Sequence, residues 1–204
     1  MSRYTGPKCK KCRQLGFSVC GSLKCTLQRR EFPPGMHARP RAKMSDFGKQ
    51  LLEKQKLRYS YWVSEGQFRN YVKKAIRQKG KTGENLLQIL ETRLDTMVYR
   101  LGFAPTVLGA RQLVTHGHIL VNGINADIPS FQVRIGDKIS VREQSQKMML
   151  VEEGIIRSKA RPPLPYIEVE KEKFQGGLIA MPSREAIPVP INESLVVEYY
   201  ARRM

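Results

Sequence analysis

Apolar residues along this chain follow two different periods, and the switch between them divides it. Leu86, Leu87, Leu90, Leu94, Met97, Val98 and Leu101 recur three and four positions apart. That spacing gathers them on one stripe and predicts a single helix over residues 84–101, ended by Gly102. After Pro105, Thr106 can cap a short helix to about residue 115, with Ala110, Leu113 and Val114 toward the core. The period then drops to two. Ile119-Leu120-Val121 reads as a strand, Asn122-Gly123 as a hairpin turn, and Lys138-Ile139-Ser140-Val141-Arg142 as a strand with one wet, basic face. Upstream, Ser45 and Ser64 stand where each can cap a helix, predicting helices over residues 45–59 and 64–79. Asn192 caps a last one over residues 193–201, carrying Leu195, Val196 and Tyr199. Residues 1–45, with the rigid turn Phe32-Pro33-Pro34-Gly35, show no periodicity, and Arg161-Pro162-Pro163-Leu164-Pro165 reads as a linker.

Charge changes this picture more than composition does. The 204 residues are 41% hydrophobic, enough for one large or two small domains, but they carry a net charge of +18. Such a chain repels itself unless a polyanion neutralises it, and nucleic acid is the commonest. A membrane surface is the competitor, but no apolar run approaches the roughly 18 residues that span a bilayer. The charge is also uneven. Residues 1–43 hold 11 Lys and Arg against one acid, and residues 44–81 hold 10 against three. Residues 82–157 hold eight of each sign, and residues 158–204 seven basic against six acidic. The electrostatic footprint is therefore N-terminal. The cations expected to meet phosphate are Arg3, Lys10, Lys11, Arg13, Arg39, Arg41, Lys43, Lys54, Lys56, Arg58, Arg69 and Lys73. A solvated charged face is the plainer reading of any one helix; two adjacent basic helices favour phosphate.

Cys9, Cys12, Cys20 and Cys25 lie within 17 residues. The start Met1-Ser2-Arg3-Tyr4 lacks the apolar core of a signal peptide, which predicts a reducing compartment and disfavours two disulfides. Four thiolates suit tetrahedral zinc, which would replace the missing core of this loop. An iron–sulfur cluster and free thiols are the alternatives.

Leu94-Asp95, Arg100-Leu101-Gly102, Ala110-Arg111-Gln112-Leu113-Val114, His116-Gly117-His118 and Val121-Asn122-Gly123 resemble the RNA-binding module named after small-subunit ribosomal protein S-four. Arg3-Tyr4-Thr5-Gly6-Pro7, Phe32 to His37, Glu53 to Arg58 and Val189 to Tyr200 resemble that ribosomal family as well, so the likeness covers nearly the whole chain. It departs at Val107, where the family frequently has arginine. The resemblance implies a non-enzymatic constituent of the small ribosomal subunit, cytoplasmic or in an organelle stroma or matrix. It implies binding of small-subunit rRNA early in assembly and an influence on decoding accuracy beside the path by which messenger enters. The implied partners are that rRNA, the neighbouring small-subunit proteins S-five and S-three, and messenger RNA; some relatives carry a cysteine cluster and others lack it. Within the module Arg93, Arg111, Gln112, His116, His118 and Asn122 are expected to converge on folded RNA, the alternative for Gln112, His116 and His118 being that they satisfy turn hydrogen bonds.

The triplet Arg93-Leu94-Asp95 also occurs as a catalytic signature in RNA pseudouridine synthases, but here it lies inside the predicted helix with no catalytic domain after it, so a helix-surface ion pair is expected. The fold expected is α+β. A Cys-rich arm (1–44) precedes a mainly helical, discontinuous body (45–92, completed by 158–204), and a small helix-helix-sheet RNA-binding module (93–157) is inserted in it.

Overall fold

The computed structural model describes residues 4–36 and 44–201. It divides into two compact units, Met1–Leu86 with Val189–Met204, and Leu87–Pro188. Among the described residues the helices are α1 (Lys8–Leu15), α2 (Asp46–Ser60), α3 (Glu65–Arg77), α4 (Thr82–Glu91), α5 (Leu94–Arg100), α6 (Val107–Thr115), α7 (Met149–Ser158) and α8 (Glu193–Ala201). The strands are β1 (Ile119–Val121), β2 (Ile124–Asn125), β3 (Lys138–Val141), β4 (Ile167–Glu170) and β5 (Gln175–Leu178).

In the first unit the serines cap as their positions predict. Ser45 Oγ accepts from the Gly48 amide at 3.2 Å and Ser64 Oγ from the Gln67 amide at 3.4 Å. Phe68, Val72 and Ala75 form the buried face of α3, and Val196, Tyr199 and Tyr200 that of α8, with the Phe68 and Tyr200 rings 5.9 Å apart. Three of these helices meet at one carboxylate. Glu65 accepts both Lys54 Nζ contacts, at 2.9 and 3.0 Å, and the Tyr200 hydroxyl at 2.8 Å. Its pKa falls below the usual glutamate value: burial raises it, but Lys54 and Tyr200 outweigh the burial. The N-terminal arm is not all loop. Lys8–Leu15 is helical and Thr26–Gln28 forms a 3-10 turn. Eight residues carrying lysines and cysteines are too few to display a period, and Gly16 closes the helix at φ +64°.

The second unit is built on an antiparallel five-stranded sheet of order β2-β1-β3-β5-β4. Helices α5, α6 and α7 contribute Leu94, Met97, Val98, Ala110, Leu113, Val114 and Val151 to its core, against Ile119, Ile139, Val141 and Leu178 of the strands. The turn at Asn122 and Gly123 has φ +52° and +80°, as a two-residue hairpin requires. Two expectations need correction. The helix predicted over residues 84–101 breaks at Thr92 and Arg93, where the chain bridges to Gln132 and the Leu94 amide donates to the Phe131 carbonyl at 2.8 Å. The apolar residues of both pieces are buried all the same, Leu86, Leu87 and Leu90 before the break and Leu94, Met97, Val98 and Leu101 after it. The segment 158–204 does not pack wholly on the helical body either: β4 and β5 extend the sheet, while α8 packs on α2. A Cβ on Gly177 would lie 2.7 Å from the Asp137 carbonyl oxygen, so glycine permits the β3–β5 approach while hiding the strand from any alternation rule. The residues read as a linker are likewise tied down. Arg161 donates to the Tyr99 and Pro105 carbonyls at 3.0 and 3.1 Å and lies 4.1 Å over the Tyr99 ring.

Candidate nucleic-acid interface and cysteine cluster

Helix α3 opposes its apolar face with a cationic one. Arg69, Lys73 and Arg77 recur every four residues, joined by Lys74; all four are exposed, and none has an acidic partner among the described residues. Such a row is spaced to meet successive backbone phosphates without competition from carboxylates. Lys10 is exposed on α1, and Lys8, Lys24, Arg29 and Arg30 add exposed charge to the arm. These four were not singled out from sequence, although the segment charge count contains them. Arg3, Arg39, Arg41 and Lys43 lie outside the described residues.

Other cations predicted to meet phosphate also have contacts inside the fold. Lys54, expected to meet phosphate, has a side chain only 3% exposed and bound to Glu65, because position 54 faces α3 and α8 rather than solvent. Lys56 pairs with Glu53 at 2.6 Å. Arg58 lies flat on the Tyr59 ring, 4.2 Å from its centre, and reaches Glu65 at 3.5 Å. Arg13 holds the Phe32 and Pro33 carbonyls at 2.8 and 3.1 Å, which fixes the rigid turn on α1. Lys11 stands 5.2 Å from the Tyr59 ring centre.

In the module, Arg93 and Asp95 do form the predicted ion pair, but within the core: their side chains are 2% and 0% exposed. Arg93 donates to both Asp95 oxygens, at 3.0 and 2.7 Å, and Arg111 donates Nε and Nη2 to Asp95 Oδ2 at 2.8 and 2.6 Å. Arg93 thus has no surface to offer RNA, whereas Arg111, 17% exposed, is an aimed guanidinium on a rigid carboxylate. Asp95 is its positioning residue, which sequence did not assign. An aspartate so enclosed and doubly paired cannot reach a substrate, which removes the catalytic reading of the triplet. Gln112 on α6 and His116, which caps its C-terminal end, are both exposed. The His116 and His118 rings stand 6.1 Å apart. His118 Nδ1 meets Ser145 Oγ at 2.9 Å, and burial, His116 and Arg142 hold its pKa below the ordinary value, so near pH 7 it is a neutral hydrogen-bonding group. Asn122 satisfies its own turn, donating to Asp137 and accepting from the Lys138 amide, both at 2.9 Å.

The cysteines converge. The sulfurs of Cys9, Cys20 and Cys25 lie within 4.8 Å of one another, and the fully buried Cys12 adjoins Cys20. Three, not four, therefore stand as a set that could hold a metal. Burial pushes the Cys12 thiol up to about 12 and that of Cys20 above its usual value. At Cys25 burial acts the same way, but hydrogen bonds from the Leu27 amide, Ser18, Cys20 and Cys12 outweigh it and the pKa falls. Three sulfurs at this spacing could hold a metal ion, whose charge would favour their thiolate forms.

Comparison with known proteins bears on both units. Residues 3–91 match the family described as Ribosomal protein S4/S9 N-terminal domain, and residues 92–139 match the S4 domain. The chain is 48% identical over 208 residues to small ribosomal subunit protein uS4 of Citrifermentans bemidjiense, covering 99% of this chain and 100% of that one. It is 46% identical over 209 residues to the uS4 of Thermus thermophilus and 45% over 208 to that of Acetivibrio thermocellus, with the same coverage. Two family matches that tile residues 3–139 and full-length relatives at this identity make the chain a member of the uS4 family of small ribosomal subunit proteins.

Proposed function

We propose that this protein is a non-enzymatic constituent of the small ribosomal subunit that binds small-subunit rRNA directly, early in assembly, and bears on decoding accuracy. The observation that carries the reading is end-to-end similarity to proteins named as small-subunit components. Its physical basis is the cationic row of α3 with the exposed lysines and arginines of the arm, which supply phosphate affinity. Arg111, Gln112, His116 and His118 set register against folded RNA. Neighbouring small-subunit proteins, S-five and S-three among them, and messenger RNA are the further partners proposed, in the cytoplasm or an organelle stroma or matrix. No helix among the described residues is long and apolar enough to cross a membrane. The test is equilibrium binding to small-subunit rRNA against an unrelated structured RNA of equal length. Preference for the former that survives competition is expected; equal binding would overturn the reading.

Zinc is the metal proposed for the cysteine set, with Cys9, Cys20 and Cys25 as ligands and Cys12 completing the tetrahedron after a small side-chain adjustment. Anaerobically purified protein is expected to carry about one zinc per chain, and Cys20→Ser to lose it. Iron in its place would select the cluster alternative, and neither metal would leave free thiols.

A further inference from the structure

At the C-terminal end of α2 a cavity of about 380 Å³ is lined by Tyr4, Arg58, Tyr59, Trp62, Ser64 and Glu65, with neighbouring residues of the same unit. Three aromatic rings meet there. Tyr4, Tyr59 and Trp62 lie with centroids 5.5 to 5.9 Å apart. Two cations attend the rings: the Arg58 guanidinium, which lines the cavity, over Tyr59, and Lys11 Nζ, outside the lining, at 5.7 Å from Tyr4 and 5.2 Å from Tyr59.

The rings are held in place. Trp62 sits at φ +50°, a left-handed conformation that costs a residue with a bulky side chain on the order of 1–3 kcal/mol. What holds it there is its indole N–H, which donates to the Val19 carbonyl at 2.9 Å. A side chain on Gly6 would come within 2.7 Å of the Tyr4 hydroxyl, so glycine there lets Tyr4 fold back over the cavity.

From this arrangement we propose that the cavity receives one unstacked nucleotide of the rRNA, its base against the aromatic wall and its phosphate toward Arg58. Aromatic rings with adjacent cations are how proteins hold single-stranded bases, through stacking and charge together. The proposal rests on the reading of the chain as an rRNA binder and adds a site outside the S4 module.

Trp62 is the only tryptophan of the chain, so its fluorescence reports on the cavity directly. The full-length protein is titrated with AMP, with ribose 5-phosphate and with small-subunit rRNA, while rRNA affinity is measured separately by filter binding. Quenching by AMP at millimolar concentration and by rRNA, with none by ribose 5-phosphate, is expected. Tyr59→Leu, and independently Tyr4→Leu in case the first disturbs α2, are each expected to weaken rRNA binding about tenfold, the loss of one stacked base. Circular dichroism should stay unchanged. The proposal is overturned if wild-type protein binds rRNA while Trp62 fails to respond to AMP and both variants keep full affinity; the rRNA reading then stands. A pocket that responds only on incorporation into the subunit overturns it too, in favour of a protein neighbour. Absence of rRNA binding by the wild type defeats the broader reading instead.

Discussion

Asp95→Asn destabilises the Leu87–Pro188 unit by about 3–5 kcal/mol, the cost expected when one partner of a buried ion pair is removed and the others stay charged. The carboxylate is fully buried and pairs with two guanidiniums. Asparagine keeps the shape and one acceptor but none of the charge, and Arg93, 2% exposed, has no route to water. It also loses the Asp95 Oδ1 that accepts from the Thr96 amide at 3.0 Å, unless the amide oxygen takes that place. Urea denaturation followed by circular dichroism reads the effect as a lower midpoint of that unit's transition. A change below about 1 kcal/mol would mean that the pair is solvated and that Arg111 does not depend on Asp95 for its direction.

Removing Arg69, Lys73 and Arg77 together, each to alanine, acts on affinity instead of stability. All three side chains are exposed on the face of α3 away from Phe68, Val72 and Ala75, so the fold should hold. If each meets one phosphate, the slope of log affinity against log salt becomes shallower by roughly 2 to 3. Extrapolated over the same slope, affinity for rRNA at 0.15 M salt falls on the order of a hundredfold. A salt titration from 0.05 to 0.5 M measures both quantities at once. Unchanged slope with unchanged affinity would place the phosphate contacts elsewhere on the unit.

How far this was legible in the sequence depended on whether a residue's environment is local. Helices α2, α3 and α6 are legible because a capping side chain starts each and an apolar face follows within the same stretch. The hairpin at Asn122-Gly123 is legible for the same reason, since the left-handed turn needs those residue types. What sequence does not carry is the far partner. The break at Arg93 depends on residues 129–133, which approach from elsewhere in the chain and hydrogen-bond to the start of α5. Strand β5 is invisible because Gly176 and Gly177 lack the side chains that would alternate.

The site divides along the same line. Net charge assigned to residues 1–81 locates the cationic unit correctly, since a sum needs no geometry. Lys54 shows the limit of that method: a lysine among basic neighbours reads as phosphate-binding, and only the convergence of α2, α3 and α8 on Glu65 reveals a structural ion pair. Arg93 fails in the same way, drawn inward by Asp95. Three of the four cysteines converge, as their count and spacing suggest, although the offset of Cys12 from them is contained in neither.

The most direct test of the whole account is sedimentation of cell extract at low salt, with the chain followed by antibody through a sucrose gradient. The account predicts that it travels with the small ribosomal subunit and is released as salt rises. Recovery at the top of the gradient at low salt, apart from the subunit, would contradict it.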